Sequence, residues 1–360
     1  MRAGAGAINV VCVLSGFLLV SVAGQAAAQG RPLRVLVYHD MEGLAGQNDP
    51  NTFRFDHPEQ YAKGRQLLVA DVNAVVSGLF DGGATEVDVV DAHGSGNPEP
   101  DIPAGALDPR ARQLFKDHPF EPYMDLVEPG RYDAVAVVGM HAKTGSRGFA
   151  SHTYTIGIEL LINGQTITET ELIGYSWGRV NVPVVFASGD DRLQDNLKTM
   201  PWIQFVVTKK ATSASTADLR LVDEVHAEMK ARARLAVERL ASAKTMPLAA
   251  PIQAAVRVVP PASLAVLQGV PGIKYSDNRV DFEATDYKGV FDGWYALIGV
   301  ATRAYPALLM EKLTERPDGP AMRLEFSNRL FARWMDYESG RWTPPARPKP
   351  VEGKRYHGDN

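Results

Sequence analysis

The sequence is almost devoid of cysteine. Cys12 is the only one among 360 residues, and it lies within an apolar N-terminal segment. If that segment is removed, the mature chain contains no thiol, which excludes disulfides, thiol catalysis and cysteine-bound metals. Any zinc site must therefore be built from His, Asp and Glu.

The chain also lacks an excess of positive charge. Its formal net charge is −4 at pH 7, and its composition of 45% hydrophobic and 22% charged residues is that of an ordinary globular protein. Nucleic acids and anionic membranes are bound by clustered Lys and Arg, and no basic face or polybasic patch is evident. We therefore expect no nucleic-acid partner and no membrane-surface partner, which leaves small polar substrates.

The longest hydrophobic run occupies residues 7–22, after Arg2 and before the small residues Ala26, Ala27 and Ala28. This order is typical of a secretory signal peptide over residues 1–28, cut after Ala28, which predicts a periplasmic or secreted protein. A retained membrane anchor is the alternative. The run is shorter than the ~20 residues that a spanning helix needs, so we expect no membrane attachment after cleavage.

Apolar runs and amphipathic segments alternate from Arg34 onward. This rhythm predicts an α/β fold with a mostly parallel central sheet flanked by helices. We expect a metal-binding catalytic α/β domain over residues 29–246 and a smaller α+β unit over residues 247–305. A C-terminal extension with a Pro-rich tail follows over residues 306–360, where a surface strap or a disordered end is expected.

Polar side chains follow three of the predicted strands. Asp40 and Glu42 come after one apolar run, His93 after the second and His141 after the third. The carboxyl ends of parallel strands meet at one edge of a sheet, where ligands bind. Taken singly, Asp40 could cap a turn, Glu42 could be solvated and each His could be a hydrogen-bonded core residue. Their repetition at three strand ends favours a divalent metal site.

Other polar residues lie near these positions. We expect Asp91 to accept the free ring N–H of His93, because metal-bound imidazoles usually donate to such groups. His152 follows a glycine-containing loop, and its position alone leaves open a metal ligand, an acid/base residue or a structural role. The remaining histidines fall on polar or helical surfaces or in the tail and are expected to be structural or solvated: His39, His57, His118, His226 and His357.

Together these motifs resemble peptidase family M55, the zinc-dependent D-aminopeptidases. The likeness extends from about residue 33 to residue 302. It is carried by Asp40-Met41-Glu42-Gly43, Asp91-Ala92-His93, Gly139-Met140-His141-Ala142, Ser151-His152, Ile162-Asn163-Gly164 with Glu169, and Pro183-Val184-Val185 through Gly189-Asp190-Asp191-Arg192.

The resemblance implies two zinc ions per subunit. Asp40 would bridge both ions, Glu42 and His141 would complete one site, and His93 and Glu169 would complete the other. His152 matches the family's catalytic histidine. Glu171 could compete with Glu169, but the spacing from Asn163-Gly164 favours Glu169.

The resemblance also implies an aminopeptidase that removes N-terminal D-amino acids of the D-Ala type from short peptides with a metal-activated water. It implies a homo-oligomer, possibly a decamer of two pentameric rings. Ile173 replaces an amide side chain that the family often has, and residues 213–215 lack a frequent arginine, so substrate preference could have moved. The alternatives are another binuclear hydrolase, an amidase or phosphoesterase, and a non-catalytic peptide-binding protein.

Overall fold

A computed structural model describes residues 1, 31–94, 97–341 and 354–358. The predicted signal peptide over residues 1–28, except for Met1, lies outside these described residues. From Leu33 onward the chain forms one compact unit. Within the described part of the chain, no helix combines the length and the apolar character needed to cross a membrane.

The described residues form twelve strands and seven α-helices. The strands are β1 Arg34–His39, β2 Glu86–Asp91, β3 Arg112–Gln113, β4 Ala134–Met140, β5 Ile158–Ile162, β6 Gln165–Thr166, β7 Val184–Asp190, β8 Gln204–Ala211, β9 Ala217–Leu219, β10 Ile252–Val258, β11 Lys274–Ser276 and β12 Arg279–Ala284. The helices are α1 Pro58–Asp81, α2 Glu169–Gly178, α3 Asp191–Asn196, α4 Val222–Glu238, α5 Tyr287–Ala301, α6 Tyr305–Glu315 and α7 Gly319–Glu338.

Seven strands form the main sheet in the order β3-β2-β1-β4-β7-β8-β9. Every pair is parallel except β8 with β9. One face packs against α1 and α4, and the other packs against α2, α5 and a second sheet. Since both faces are covered, strands such as β4 are buried along their whole length and appear in the sequence as uninterrupted apolar runs. The predicted fold class is confirmed.

Strand order reverses beside β1, because the chain moves to β2 on one side and later to β4 on the other. Such a switch leaves a crevice at the carboxyl ends of the two central strands, where α/β proteins bind their ligands. Asp40 follows β1 and His141 follows β4, so the candidate ligands flank this crevice.

The second sheet is antiparallel, in the order β11-β12-β10-β5-β6. Asn163 and Gly164 both adopt positive φ between β5 and β6, which matches the predicted tight hairpin. β10 pairs with β5, so strands from both sides of residue 247 share this sheet. The domain boundaries expected from the sequence stay a prediction.

Two local expectations are wrong. The sequence over residues 109–115 predicts a short helix, but Arg112 and Gln113 form the edge strand β3, and the Arg112 guanidinium pairs with Asp88 of β2 at 2.8 and 2.9 Å. The amphipathic pattern over residues 217–242 predicts a long helix, but residues 217–219 pair with β8 as β9, and α4 begins only at Val222. In both places pairing with an existing strand prevails over local helical pattern.

The C-terminal region returns to the main unit. Residues 354–358 run along the segment before β4: Tyr356 forms a β-bridge with Lys116, and the Phe120 N–H donates to the Gly358 carbonyl at 2.9 Å. Residues 342–353 of the predicted Pro-rich tail lie outside the described residues. The described part of the tail is therefore a docked strap.

Candidate metal centre

The three strand ends bring the predicted ligands to one rim. Asp40 and Glu42 follow β1, His93 follows β2, His141 follows β4, and Glu169 is the first residue of α2. The side chains of all five are buried, with at most 6% of the side-chain surface exposed. Three carboxylates and two imidazoles thus share one desolvated site.

Backbone contacts lock the loops after β1 and β4 together. The Asp40 N–H donates to the Val138 carbonyl at 2.8 Å, and the Gly43 N–H donates to the Gly139 carbonyl at 2.7 Å. Gly139 has a φ of +74°, and a Cβ at Gly43 would overlap the Met140 carbonyl. Both positions therefore need glycine, which explains the glycine that ends the first motif.

The distances within the rim define two groups. Glu42 Oε1 lies 3.5 Å from His93 Nε2, while His141 Nε2 lies 3.4 Å from both Asp40 Oδ2 and Glu169 Oε1. Ligand atoms on one tetrahedral zinc ion are roughly 3.3 to 3.5 Å apart. These contacts pair Glu42 with His93 and Glu169 with His141, whereas the resemblance paired Glu42 with His141 and His93 with Glu169.

His141 supplies a test of whether a metal fits. Its Nδ1 lies 3.0 Å from the Ala142 carbonyl and must carry a proton to donate to it, while its buried Nε2 has no hydrogen-bond partner in the described structure. Burial lowers the pKa of His141, but Glu169, Glu42 and the Ala142 carbonyl together raise it, to about 9. The Nε2 atom, aimed at two carboxylates, therefore favours positive charge, which either a proton or a bound divalent metal supplies, so the donor set fits a metal.

His93 is oriented by a residue that the sequence did not reveal. Its Nδ1 lies 2.9 Å from Asp101 Oδ2, whereas Asp91 accepts from the His93 backbone N–H at 2.8 Å and from His357 Nδ1 at 3.0 Å. The expectation that Asp91 accepts from the His93 ring is wrong. Asp101 lies in a polar loop with no local pattern that distinguishes it from its neighbours.

Two glutamates begin α2, and the structure separates them. Glu171 forms a capping box with Thr168, whose hydroxyl accepts from the Glu171 N–H at 3.0 Å. Glu169 instead faces the rim, where it accepts from the Tyr123 hydroxyl at 2.9 Å and from the Tyr154 N–H at 2.6 Å. Glu171 is therefore occupied by the cap, and Glu169 is the carboxylate at the centre.

His152 lies at the edge of the rim. Its ring stacks on His141 at a centroid distance of 3.9 Å, and its Nε2 is 3.8 Å from Glu169 Oε1. Its Nδ1 lies 2.8 Å from the Ala150 carbonyl, which leaves Nε2 to exchange protons. Burial, together with His141, lowers the pKa of His152, so the neutral form prevails near neutral pH. His141, His152 and Glu169 also have ligand atoms within 4.8 Å of one another, so a ligand role stays geometrically open.

Lys209 supports the rim through the loop after β1, and it was not identified from the sequence. This fully buried residue of β8 donates from Nζ to the Glu42 carbonyl at 2.7 Å and to Gln47 Oε1 at 2.6 Å. Burial lowers its pKa to about 7. In the sequence it is one of two adjacent lysines near the end of β8, and its contacts hold the loop that carries Glu42.

Two histidines expected on surfaces or in the tail are buried instead. His39 ends β1 with no exposed surface, and His357 is 2% exposed. His39 is buried because it belongs to a central strand of a sheet that is covered on both faces. His357 is buried because the strap docks on the main unit.

Two cavities lie beside the rim. One, of about 610 Å³, is lined by Glu42, His93 and His152. The other, of about 400 Å³, is lined by His93, Tyr123 and His357. Both include His93 and Tyr154, so the two cavities adjoin each other at the rim.

Comparison with known proteins identifies a family whose model covers the five predicted ligands and His152. The Peptidase_M55 family, described as D-aminopeptidase, matches residues 33–295. A D-aminopeptidase of Bacillus subtilis (strain 168) is 30% identical over 179 residues, which cover 49% of this chain and 63% of that relative. The alignment thus spans slightly less than two thirds of the relative's length.

A solved structure extends the comparison to the fold. It is the Zn-dependent D-aminopeptidase DppA from Bacillus subtilis, described as a self-compartmentalizing protease. The match has a TM-score of 0.67 at 21% identity and covers 75% of this chain and 98% of that one. This confirms the α/β architecture over most of the chain.

Proposed function

The chain belongs to peptidase family M55, the D-aminopeptidases, and from this premise we propose that it is a binuclear zinc aminopeptidase. Its substrates are short peptides with an N-terminal D-amino acid of the D-Ala type. The observation that carries the proposal is the buried cluster of Asp40, Glu42, His93, His141 and Glu169 at the crevice of the sheet, with His141 Nε2 aimed at two carboxylates.

In this proposal Asp40 bridges two ions. His93 and Glu42 would hold one ion, and His141 and Glu169 the other, which the 3.5 and 3.4 Å contacts support. The ligand atoms of Asp40, Glu42 and His141 also lie within 4.8 Å of one another, which supports the pairing that the family resemblance implies. A bound zinc pair supplies an activated water and polarises the scissile carbonyl. Asp101 orients His93, and the Tyr123 hydroxyl orients Glu169.

His152 is the proton-transfer group. The Ala150 carbonyl holds the proton on Nδ1, so Nε2 is free to accept a proton and then to deliver it to the leaving amino group. Its lowered pKa keeps it in the base form near neutral pH. Its place outside the five proposed ligands suits an acid/base group rather than a further ligand.

The cavities support short substrates. The N-terminal residue of a peptide would lie in one of the two adjoining cavities and the remainder in the other, within spaces of about 610 and 400 Å³. These are the dimensions of small-ligand pockets, not of clefts that hold a folded chain.

We further propose a homo-oligomer, with a decamer as its expected size, and the related DppA, described as self-compartmentalizing, supports an assembly. The mature protein would be periplasmic or secreted and begin at Gln29. Mass measurement of the native assembly tests the first point, and N-terminal mass analysis of the envelope or secreted fraction tests the second. Retention of Met1 would contradict export with cleavage.

The decisive experiment compares matched D-Ala and L-Ala aminoacyl amides as substrates of the purified mature protein. We expect the D-Ala compound to be cleaved with a kcat/KM at least about tenfold higher. Chelation should abolish cleavage, and added zinc should restore it. Cleavage of a phosphoester but of neither amide would favour another binuclear hydrolase, and binding of the peptide without turnover would favour a peptide-binding protein.

A further inference from the structure

His39 is a buried imidazole without a hydrogen-bond partner. It is the last residue of β1, has no exposed surface, and neither of its ring nitrogens has a partner among the described residues. A buried polar side chain in a native structure is normally satisfied by protein, water or an ion. The described residues therefore leave this imidazole without the partner that a buried polar group needs.

Two buried carboxylates face this ring. Strand pairing places His39 directly beside Asp91 of β2, and side chains at paired positions of adjacent parallel strands share one face of the sheet. Asp101 is fully buried nearby. One ring nitrogen of His39 and one oxygen of each carboxylate lie within 4.8 Å of one another.

We propose that His39, Asp91 and Asp101 hold a metal ion of their own, distinct from the ions assigned to the rim. The two sets of residues have no member in common. One imidazole nitrogen and two carboxylate oxygens suit Zn²⁺ or Mn²⁺. Such an ion gives His39 its partner. It also places positive charge beside two carboxylates that are buried.

The carboxylates are already oriented for this role. Asp91 accepts from the His93 N–H and from His357 Nδ1, while Asp101 accepts from the Tyr61 hydroxyl and contacts His93 Nδ1. Each carboxylate oxygen has two lone pairs, so it can keep its hydrogen bond and still bind an ion. Hydrogen bonds of this kind fix metal ligands in place.

The ion would act as a structural tie. Through Asp101 it steadies His93 of the rim, and through Asp91 it steadies His357 of the C-terminal strap. It thereby connects two segments that lie more than 250 residues apart in the sequence and that line the same cavity of about 400 Å³. This role does not depend on the reaction that the rim catalyses.

Metal content tests the proposal. Purified mature Asp40→Ala protein, loaded with zinc, dialysed and measured by elemental analysis, should retain about one equivalent. Adding His39→Leu should remove it, while adding His118→Leu, which changes an exposed histidine, should not. Asp101→Asn, a nearly isosteric change, should also remove this metal equivalent. It replaces His39→Leu in the test if the leucine variant does not fold. Equal metal content with and without these substitutions would overturn the proposal, with water as the partner of His39.

A second measurement needs no knowledge of the reaction. In an otherwise unaltered chain, His39→Leu should lose about one metal equivalent and should speed trypsin cleavage after Lys354 and Arg355, because the strap loses its fixed Asp91 partner. His57→Leu, which changes an exposed histidine outside the segment that contacts the strap, should change neither property. Cleavage that stays as slow as in the unaltered chain after the ion is lost would refute the structural tie. Failure of D-Ala amide hydrolysis, by contrast, would leave both measurements unaffected.

Discussion

The rim at the ends of β1, β2 and β4 and the C-terminal region after α5 reach the same cavity in different ways. The rim is buried and braced by interlocked backbone. By contrast, α6 and α7 leave much of their apolar surface exposed; the exposed side chains include Leu308, Leu309, Leu324, Phe326, Phe331 and Trp334. Beyond these helices, the described strap over residues 354–358 is anchored on the main unit.

The difference lies in how many contacts hold each functional group. Every proposed ligand is held by a strand or helix end with its own supporting hydrogen bonds. His357 depends on the Asp91 contact, the bridge between Tyr356 and Lys116, and a few contacts beside them. Changes at the rim should therefore abolish the chemistry, whereas changes in the strap should alter access to it.

The largest effect is expected from Asp40→Ala. Because Asp40 is the proposed bridge, the variant should lose both rim ions and on the order of a thousandfold or more in kcat/KM. His93→Ala and His141→Ala should chiefly weaken one ion each. Elemental analysis and kinetics measure these effects, with the exposed Asp195→Ala as a control. Unchanged zinc content in Asp40→Ala would show that it is not the bridge.

His152→Ala should separate chemistry from metal binding. We expect near-normal zinc content and thermal stability, with a loss of about a hundredfold in kcat, the scale for removal of a positioned acid/base group. If the variant lost an ion, His152 would be a ligand, as its 3.8 Å distance to Glu169 would permit. Nearly full activity would instead transfer the proton-transfer role to another group.

The sequence predicted the part of the site that obeys local rules. Residues at the ends of apolar strands must meet at one edge of a parallel sheet, so the sequence alone places Asp40, His93 and His141 together. The spacing from Asn163-Gly164 likewise favours Glu169 over Glu171, and the structure shows Glu171 in a capping box with Thr168.

The rest of the site depends on long-range contacts that leave no local pattern. Asp101 reaches His93 from a polar loop, Lys209 reaches the Glu42 loop from β8, and His357 arrives from the far end of the chain. The partners of Lys209 and His357 are separated from them by more than 150 residues. A single sequence carries no periodicity that records such contacts.

A smaller effect is expected from Tyr123→Phe, which tests how the rim itself is supported. The change removes only the hydroxyl that donates to Glu169 and to the Ala92 carbonyl. Loss of a group that orients a ligand typically costs ~10- to 100-fold in metal affinity or activity. Zinc titration and kinetics measure it, with Tyr295→Phe, which lines the same cavity, as the matched control. Equal effects of the two variants would deny Tyr123 this role.

The smallest effect on chemistry, and the sharpest test of the comparison, comes from ending the chain after Gly340. The deletion removes the strap but leaves the rim's own contacts, so kcat for the shortest substrate should change by less than about tenfold, in contrast to the larger losses expected at the rim. The cavity beside His93 loses the wall formed by His357 and Gly358, so longer peptides should gain in kcat/KM relative to a dipeptide. A discrimination of about tenfold is the scale that pocket walls provide.

His357→Asn in the full chain is the matched control, because it alters the Asp91 contact while the bridge of Tyr356 to Lys116 still holds the strap in place. A length preference that did not change on deletion would mean that the strap is no wall of the substrate cavity, and a loss as large as that of Asp40→Ala would mean that rim and strap form one cooperative structure.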